Sequence, residues 1–267
     1  MDLIADAKRL IAAGGTVALS LCMGVPALAQ SPATATAPAK SAAAPAAAAV
    51  LPSADQILDT YVKALGGREA WKKLTSRVSI GTIEIPALNL SGAIEMHEKA
   101  PDQVVANITI NGAKFSQGFD GAVGWSDDPQ NGLREQSGTE LAETKRDADF
   151  YHPLDLRQLY SKFTVTGAEK VDDRDAYVME ATAPEGESDK MYFDAQTGLL
   201  LRIIGHHHAP EGVTEFTEDL SDYREVDGIK LPFLVHQAGA DSSFTIKFTE
   251  VHHNVPIENS LFSKPAG

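Results

Sequence analysis

Cysteine is nearly absent from this chain: there is one, Cys22, inside an N-terminal stretch that reads as an export signal. Removal of that signal leaves no thiol, which excludes disulfides, thiol catalysis and cysteine-held metals. Basic residues are the second scarcity, 23 Lys and Arg against 37 Asp and Glu, giving a net charge of −14. No basic stripe is present to track a phosphate backbone, so nucleic acid is not an expected partner. The same acidity opposes strong binding to anionic lipid surfaces. Catalytic signatures are missing as well: no G-x-S-x-G elbow, Walker loop, H-E-x-x-H pair or C-x-x-C-H haem site occurs. Carboxylates abound, but no spacing singles out a glycosidase pair.

What is present begins with the signal. Lys8 and Arg9 precede an uncharged, mostly apolar stretch from Leu10 to Val25, and Ala27-Leu28-Ala29 supplies small residues for cleavage before Gln30. Residues 1–29 are therefore expected to be a signal peptide, and the protein to work in the periplasm or cell envelope. ATP and reduced nicotinamide are absent there, which excludes kinases, ligases and most dehydrogenases. Lipid anchoring at Cys22 is the rival, weakened because Leu21 stands where a small residue is required; an uncleaved membrane anchor is the third possibility. Residues 30–51 are almost entirely Ala, Pro, Ser and Thr with one charge, Lys40, and are expected to form a disordered spacer. Residues 52–267 are expected to form one β-rich domain.

That domain opens with a helix. Ser53 and Gln56 have capping-box spacing, Ile57, Leu58, Tyr61, Val62 and Leu65 recur at helical period, and Gly66-Gly67 ends the run. Arg68 to Leu74 reads as a short second helix. The period then changes to two, with turns at Asn111-Gly112 and Asp120-Gly121. Ser137 and Glu140 again have capping-box spacing, and two helices, Glu140 to Phe150 and Leu154 to Lys162, interrupt the strands. Hairpins then resume to Val251. Without βαβ alternation, the fold class is mainly β with helices (α+β): a strongly curved antiparallel sheet of about ten or eleven strands.

The concave face of such a sheet must be covered. In the first half of the chain Ile94, Met96 and Ile108 carry the inward phase; in the second half Tyr177, Met179, Met191, Phe193, Leu199 and Leu201 do, followed by Phe244, Ile246 and Phe248. Either these residues are closed core, or they line a cavity for an apolar ligand. Trp125 is expected to pack rather than to stack on a ligand. Among the eight histidines, His206 and His208 could share a metal with His236, His252 or His253, while His207 faces the other way. No metal or other cofactor is expected, because three converging ligands with outer support are not evident.

Five segments resemble a known family in order and spacing: ALGGREAWKKLTS (64–76), FDGAVGWSDDPQNG (119–132), ELAETKRDADFYHPLDLRQLY (140–160), YFDAQTGLLLR (192–202) and DYREVDGIKLPF (222–233). They are similar to bacterial outer-membrane lipoprotein-sorting proteins, the LolA/LolB-like group. The resemblance implies an unclosed β-barrel of about eleven strands with helices plugging the concave side. It also implies a cavity that shields lipoprotein acyl chains. The leading expectation is thus an envelope carrier of acyl chains or another apolar ligand, without enzymatic activity. The alternatives are an envelope adaptor for a protein partner and, third, a hydrolase or His-metal enzyme.

Overall fold

The computed structural model describes residues 51–266 apart from 185, 211, 241 and 242, together with 10–12 and 18–19. The cleavage site, the Cys22 anchor and the spacer to residue 50 lie outside the described residues. Near the N-terminus, β1 (Leu10–Ala12) and β2 (Ala18–Leu19) form a short antiparallel ladder. The main body starts at α1 (Ala54–Ala64), closed by the full Ser53–Gln56 capping box. Its apolar stripe buries Ile57, Leu58 and Tyr61. At its end Gly66 takes φ +105°, and an added Cβ would sit 2.2 Å from the Gly228 carbonyl oxygen. Lys230 N–H donates to the Leu65 carbonyl at 3.0 Å beside it, so the helix end is docked directly on a hairpin. α2 (Arg68–Trp71) follows, with Trp71 buried.

Strands β3 (Ser76–Ile85), β4 (Leu90–Lys99), β5 (Gln103–Ile110), β6 (Ala113–Phe119), β7 (Gly124–Asp128) and β8 (Gly132–Glu135) form a meander. The chain then crosses over through α3 (Gly138–Asp147) and α4 (His152–Leu159). A second meander runs through β9 (Lys162–Val171), β10 (Arg174–Thr182), β11 (Ser188–Asp194), β12 (Leu200–Ala209), β13 (Gly212–Val226), β14 (Ile229–Gly239) and β15 (Ser243–His253). β15 pairs with β3, which joins the halves into one 13-stranded antiparallel sheet with β8 and β9 as its edges. The edges do not meet, so the barrel stays open. The expectation of about ten or eleven strands is an undercount of the 13 in the sheet. β8 is a short polar strand at one edge, with no apolar alternation to mark it in the sequence.

One face of the sheet and the helices enclose the main core. Val104, Ala106, Ile108 and Ile110 alternate into it along β5. The opposite face carries smaller clusters. Trp125 is in one of these, its indole N–H donating to the Phe262 carbonyl at 2.8 Å, and it packs there as expected. Leu201 is in another, with Ala176, Val178 and Tyr192. This corrects its inward placement: a register shift between Tyr192 and Phe193 pairs Phe193 with Leu200 and turns Leu201 outward. The Ser137 cap is a second correction. Its side chain makes no cap bond, and the Glu140 carboxylate instead accepts two bonds from Arg134, at 2.6 and 2.8 Å. No helix among the described residues is long and apolar enough to cross a membrane.

Candidate functional site

Between the concave face and the helices lies a cavity of about 90 Å³, walled by Met96, Met191, Leu200, Ile203, Phe216 and Phe248 on the sheet side. Tyr61 of α1, Trp71 of α2 and Leu156 of α4 close it from above. The sequence-expected residues divide accordingly. Met96, Met191 and Phe248 reach the cavity, whereas Ile94, Ile108, Met179, Leu199, Phe244 and Ile246 are packed in the surrounding core. Tyr177 and Phe193 border a separate hollow of about 490 Å³ beneath the start of α1, beside Ile57, Thr60 and Gly198.

The cavity is smaller than the roughly 300–1,000 Å³ usual for small-molecule sites. Admission of a chain-like ligand therefore requires the covering helices to shift. Polar contacts hold that cover in place. Arg157 of α4 pairs with Asp55 and Asp59 of α1, both at 2.9 Å, and Arg68 N–H donates to the Leu154 carbonyl at 2.5 Å. These contacts are partly exposed and screened by solvent, and each contributes little to stability.

Polar groups line the cavity as well, among them the Arg77–Glu98 pair of β3 and β4, and sequence reasoning missed most of them. On α3, Glu143 accepts a bond from His207 Nδ1 at 2.6 Å and another from the His208 backbone N–H at 3.0 Å. Burial pushes the Glu143 carboxyl up, but the bond and charge of His207 outweigh it and leave Glu143 below the usual carboxylate range. One turn on, Asp147 lies 3.4 Å from Arg146. Burial pushes Asp147 up to about 7; Arg146 opposes this and Glu143 adds to it. Tyr160 O–H donates to Asp189 at 2.7 Å, and burial holds Asp189 above its ordinary value. His152, at the start of α4, is held neutral by burial, its pKa lowered to about 3. Behind them Glu218 and its cross-strand partner Gln237 are fully buried, and burial keeps Glu218 protonated well above the usual range.

One sequence signal could have found part of this set. Glu218 interrupts the apolar phase of Phe216 and Leu220, and Gln237 that of Phe233 and Val235; a polar residue in such a phase must point inward. The histidines do not gather as a metal site would. His206 and His208 approach Glu187, while His236 contacts Thr245, His252 contacts Glu250 and His253 contacts Asp227. Among the described residues no three metal-ligating side chains converge.

An open antiparallel sheet wrapped around a helical plug defines the architectural class, and solved structures share it. A DUF1329 family protein from Desulfovibrio piger aligns over 78% of this chain and 96% of its own, with a TM-score of 0.54 and 16% identity. A putative outer membrane lipoprotein-sorting protein domain from Vibrio parahaemolyticus aligns over 79% and 94%, with a TM-score of 0.51 and 12% identity. A LolA superfamily protein from Nitrosomonas europaea aligns over 80% and 99%, also with a TM-score of 0.51 and 12% identity. The fold is LolA-like, as the sequence resemblance implies. No family model and no curated protein matches the sequence itself.

Proposed function

We propose that this chain is an envelope carrier that shelters an apolar ligand, acyl chains of lipoproteins or a comparable lipid, between the concave face and the helices. The observation that carries this reading is the apolar-walled cavity under helices latched by exposed, easily broken ion pairs. The LolA-like fold supports it, as does the absence of any catalytic signature in the sequence. In this reading residues 1–29 export the chain, residues 30–51 tether the domain, and Met96, Met191 and Phe248 touch the ligand. Binding, not catalysis, is the activity.

Mass spectrometry of lipids carried through purification of the intact chain, followed by uptake of a fluorescent fatty acid, tests the proposal. A protein that brings no lipid and takes up no fatty acid is not such a carrier. A second reading, an adaptor for another envelope protein, draws on the outer edge of β9. That ten-residue strand has no strand partner on one side among the described residues, and such an edge can accept a strand from another protein. A crosslinking experiment that captures no envelope protein through β9 counts against it.

A further inference from the structure

Two polar side chains on the concave face have no hydrogen-bond partner in the protein. Glu218 of β13 and Gln237 of β14 stand directly opposite each other across the ladder, and both are 0% exposed. Neither Glu218 oxygen is bonded, and neither is the Gln237 amide nitrogen or oxygen. Among the described residues no other side chain leaves two buried polar atoms unanswered. Side chains opposed on neighbouring strands come close enough to interact, yet these two do not bond each other. Buried polar atoms without partners are rare in native proteins and are explained by water or a ligand.

Their place in the sheet favours a ligand. Phe216 and Leu220 flank Glu218 on the same face of β13, Ile203 opposes it on β12, and Val235 precedes Gln237 on the same face of β14. All four of these neighbours line the cavity, so the pair belongs to its floor. Asp147 of α3 lines the cavity too, and lies near enough for its charge to act on Glu218. A shift of the helices that admits a ligand therefore opens the space above the pair. Burial holds the Glu218 carboxyl well above its usual range, so it keeps its proton and both donates and accepts. The Gln237 amide does both as well. A hydroxyl, which donates one bond and accepts two, answers such a mixed set. A carboxylate or an ether only accepts and an ammonium only donates, so each leaves part of the set unanswered. In a cavity of about 90 Å³ a hydroxyl is also the smallest group that can do both.

We propose that Glu218 and Gln237 form a recognition point for a hydroxyl group carried by the apolar ligand. The proposal rests on the carrier reading and narrows its ligand to a hydroxylated molecule. The test is displacement of the neutral apolar dye N-phenyl-1-naphthylamine from the intact chain at pH 7. The competitors are 1-decanol, its methyl ether, decanoate and decylamine, which share one chain and differ in the polar group. Decanol is expected to displace the dye at a concentration at least ten-fold below that of the other three. The ether is the more apolar of the two neutral compounds, so burial alone would favour it over the alcohol.

In the double variant Glu218→Leu with Gln237→Leu, decanol should lose that advantage, and the alcohol and its ether should displace the dye alike. The variant exchanges four unanswered polar atoms for apolar groups, so it is expected to fold. If it does not melt cooperatively, Glu218→Met, which changes one side chain only, decides in the same way. Equal displacement by decanol and its ether from the unmodified chain assigns the pair to internal water and overturns the recognition point, leaving the carrier standing. Preference for decanoate or decylamine, or a decanol advantage that survives removal of the pair, overturns it as well. A chain that binds neither dye nor amphiphile overturns the carrier reading itself, and the recognition point with it.

Discussion

Arg77 and Glu98 face each other across β3 and β4, joined by two bonds of 2.5 Å, with side chains only 7% and 4% exposed. Removing one partner strands a buried charge, so Glu98→Gln should cost about 3–5 kcal/mol in a urea melt. The double change Arg77→Met with Glu98→Leu should recover most of that loss; a double variant as unstable as the single one would contradict the account. Asp147 and His152 make the stability depend on pH in opposite directions. Asp147 titrates near 7 when folded and near 3.8 when unfolded, so its contribution is complete below pH 4 and is lost as the pH rises to 7. His152 titrates near 3 when folded and near 6.5 when unfolded, so its contribution is complete above 6.5 and is lost as the pH falls. Asp147→Asn should therefore gain on the unmodified chain steadily between pH 4 and 7, as read from urea midpoints at several pH values. A constant offset would argue against the raised pKa. Such residues are poorly legible in sequence. Glu143 and Asp147 sit on a helix with many charged residues, and nothing in the pattern separates buried carboxylates from solvated ones.

At the scale of elements, sequence patterns read well wherever one residue type has one job. The Ser53–Gln56 box forms, and the Asn111-Gly112 turn has φ of 51° and 83°, as a two-residue hairpin requires. The pattern misleads where partners compete: Glu140 caps nothing because Arg134 takes its carboxylate, and a register shift turns Leu201 out of the core. Turn glycines offer a direct check. Gly198 has φ +75°, and an added Cβ would lie 2.6 Å from Thr60 Cγ2 of α1. Gly198→Val should cost more than about 1 kcal/mol, because strain and collision with α1 add together. An unchanged melting temperature would mean that α1 is not seated on this hairpin. Arg157→Ala should behave differently, shifting stability by less than about 1 kcal/mol while speeding dye uptake, because its ion pairs hold a cover and not the core. Stopped-flow dye binding reads that rate.

At the scale of the molecule, the curved antiparallel sheet is legible because hairpin follows hairpin with no parallel crossover, and the interrupting helices are visible by their period. What the sequence does not give is how tightly those helices fill the concavity. That depends on three-dimensional packing, which sends Met191 and Phe248 to a cavity wall and Met179 and Ile246 to solid core. Met179→Ala should cost about 2–5 kcal/mol with no effect on ligand affinity, whereas Phe248→Ser should weaken uptake. The most direct measurement is titration of the intact chain with a fluorescent fatty acid, repeated after Met191→Trp fills the space beneath the helices. The account predicts saturable binding to the unmodified chain, near one ligand per chain, and its loss in a variant that still melts cooperatively. No saturable binding, or binding unaffected by the filled cavity, would contradict it.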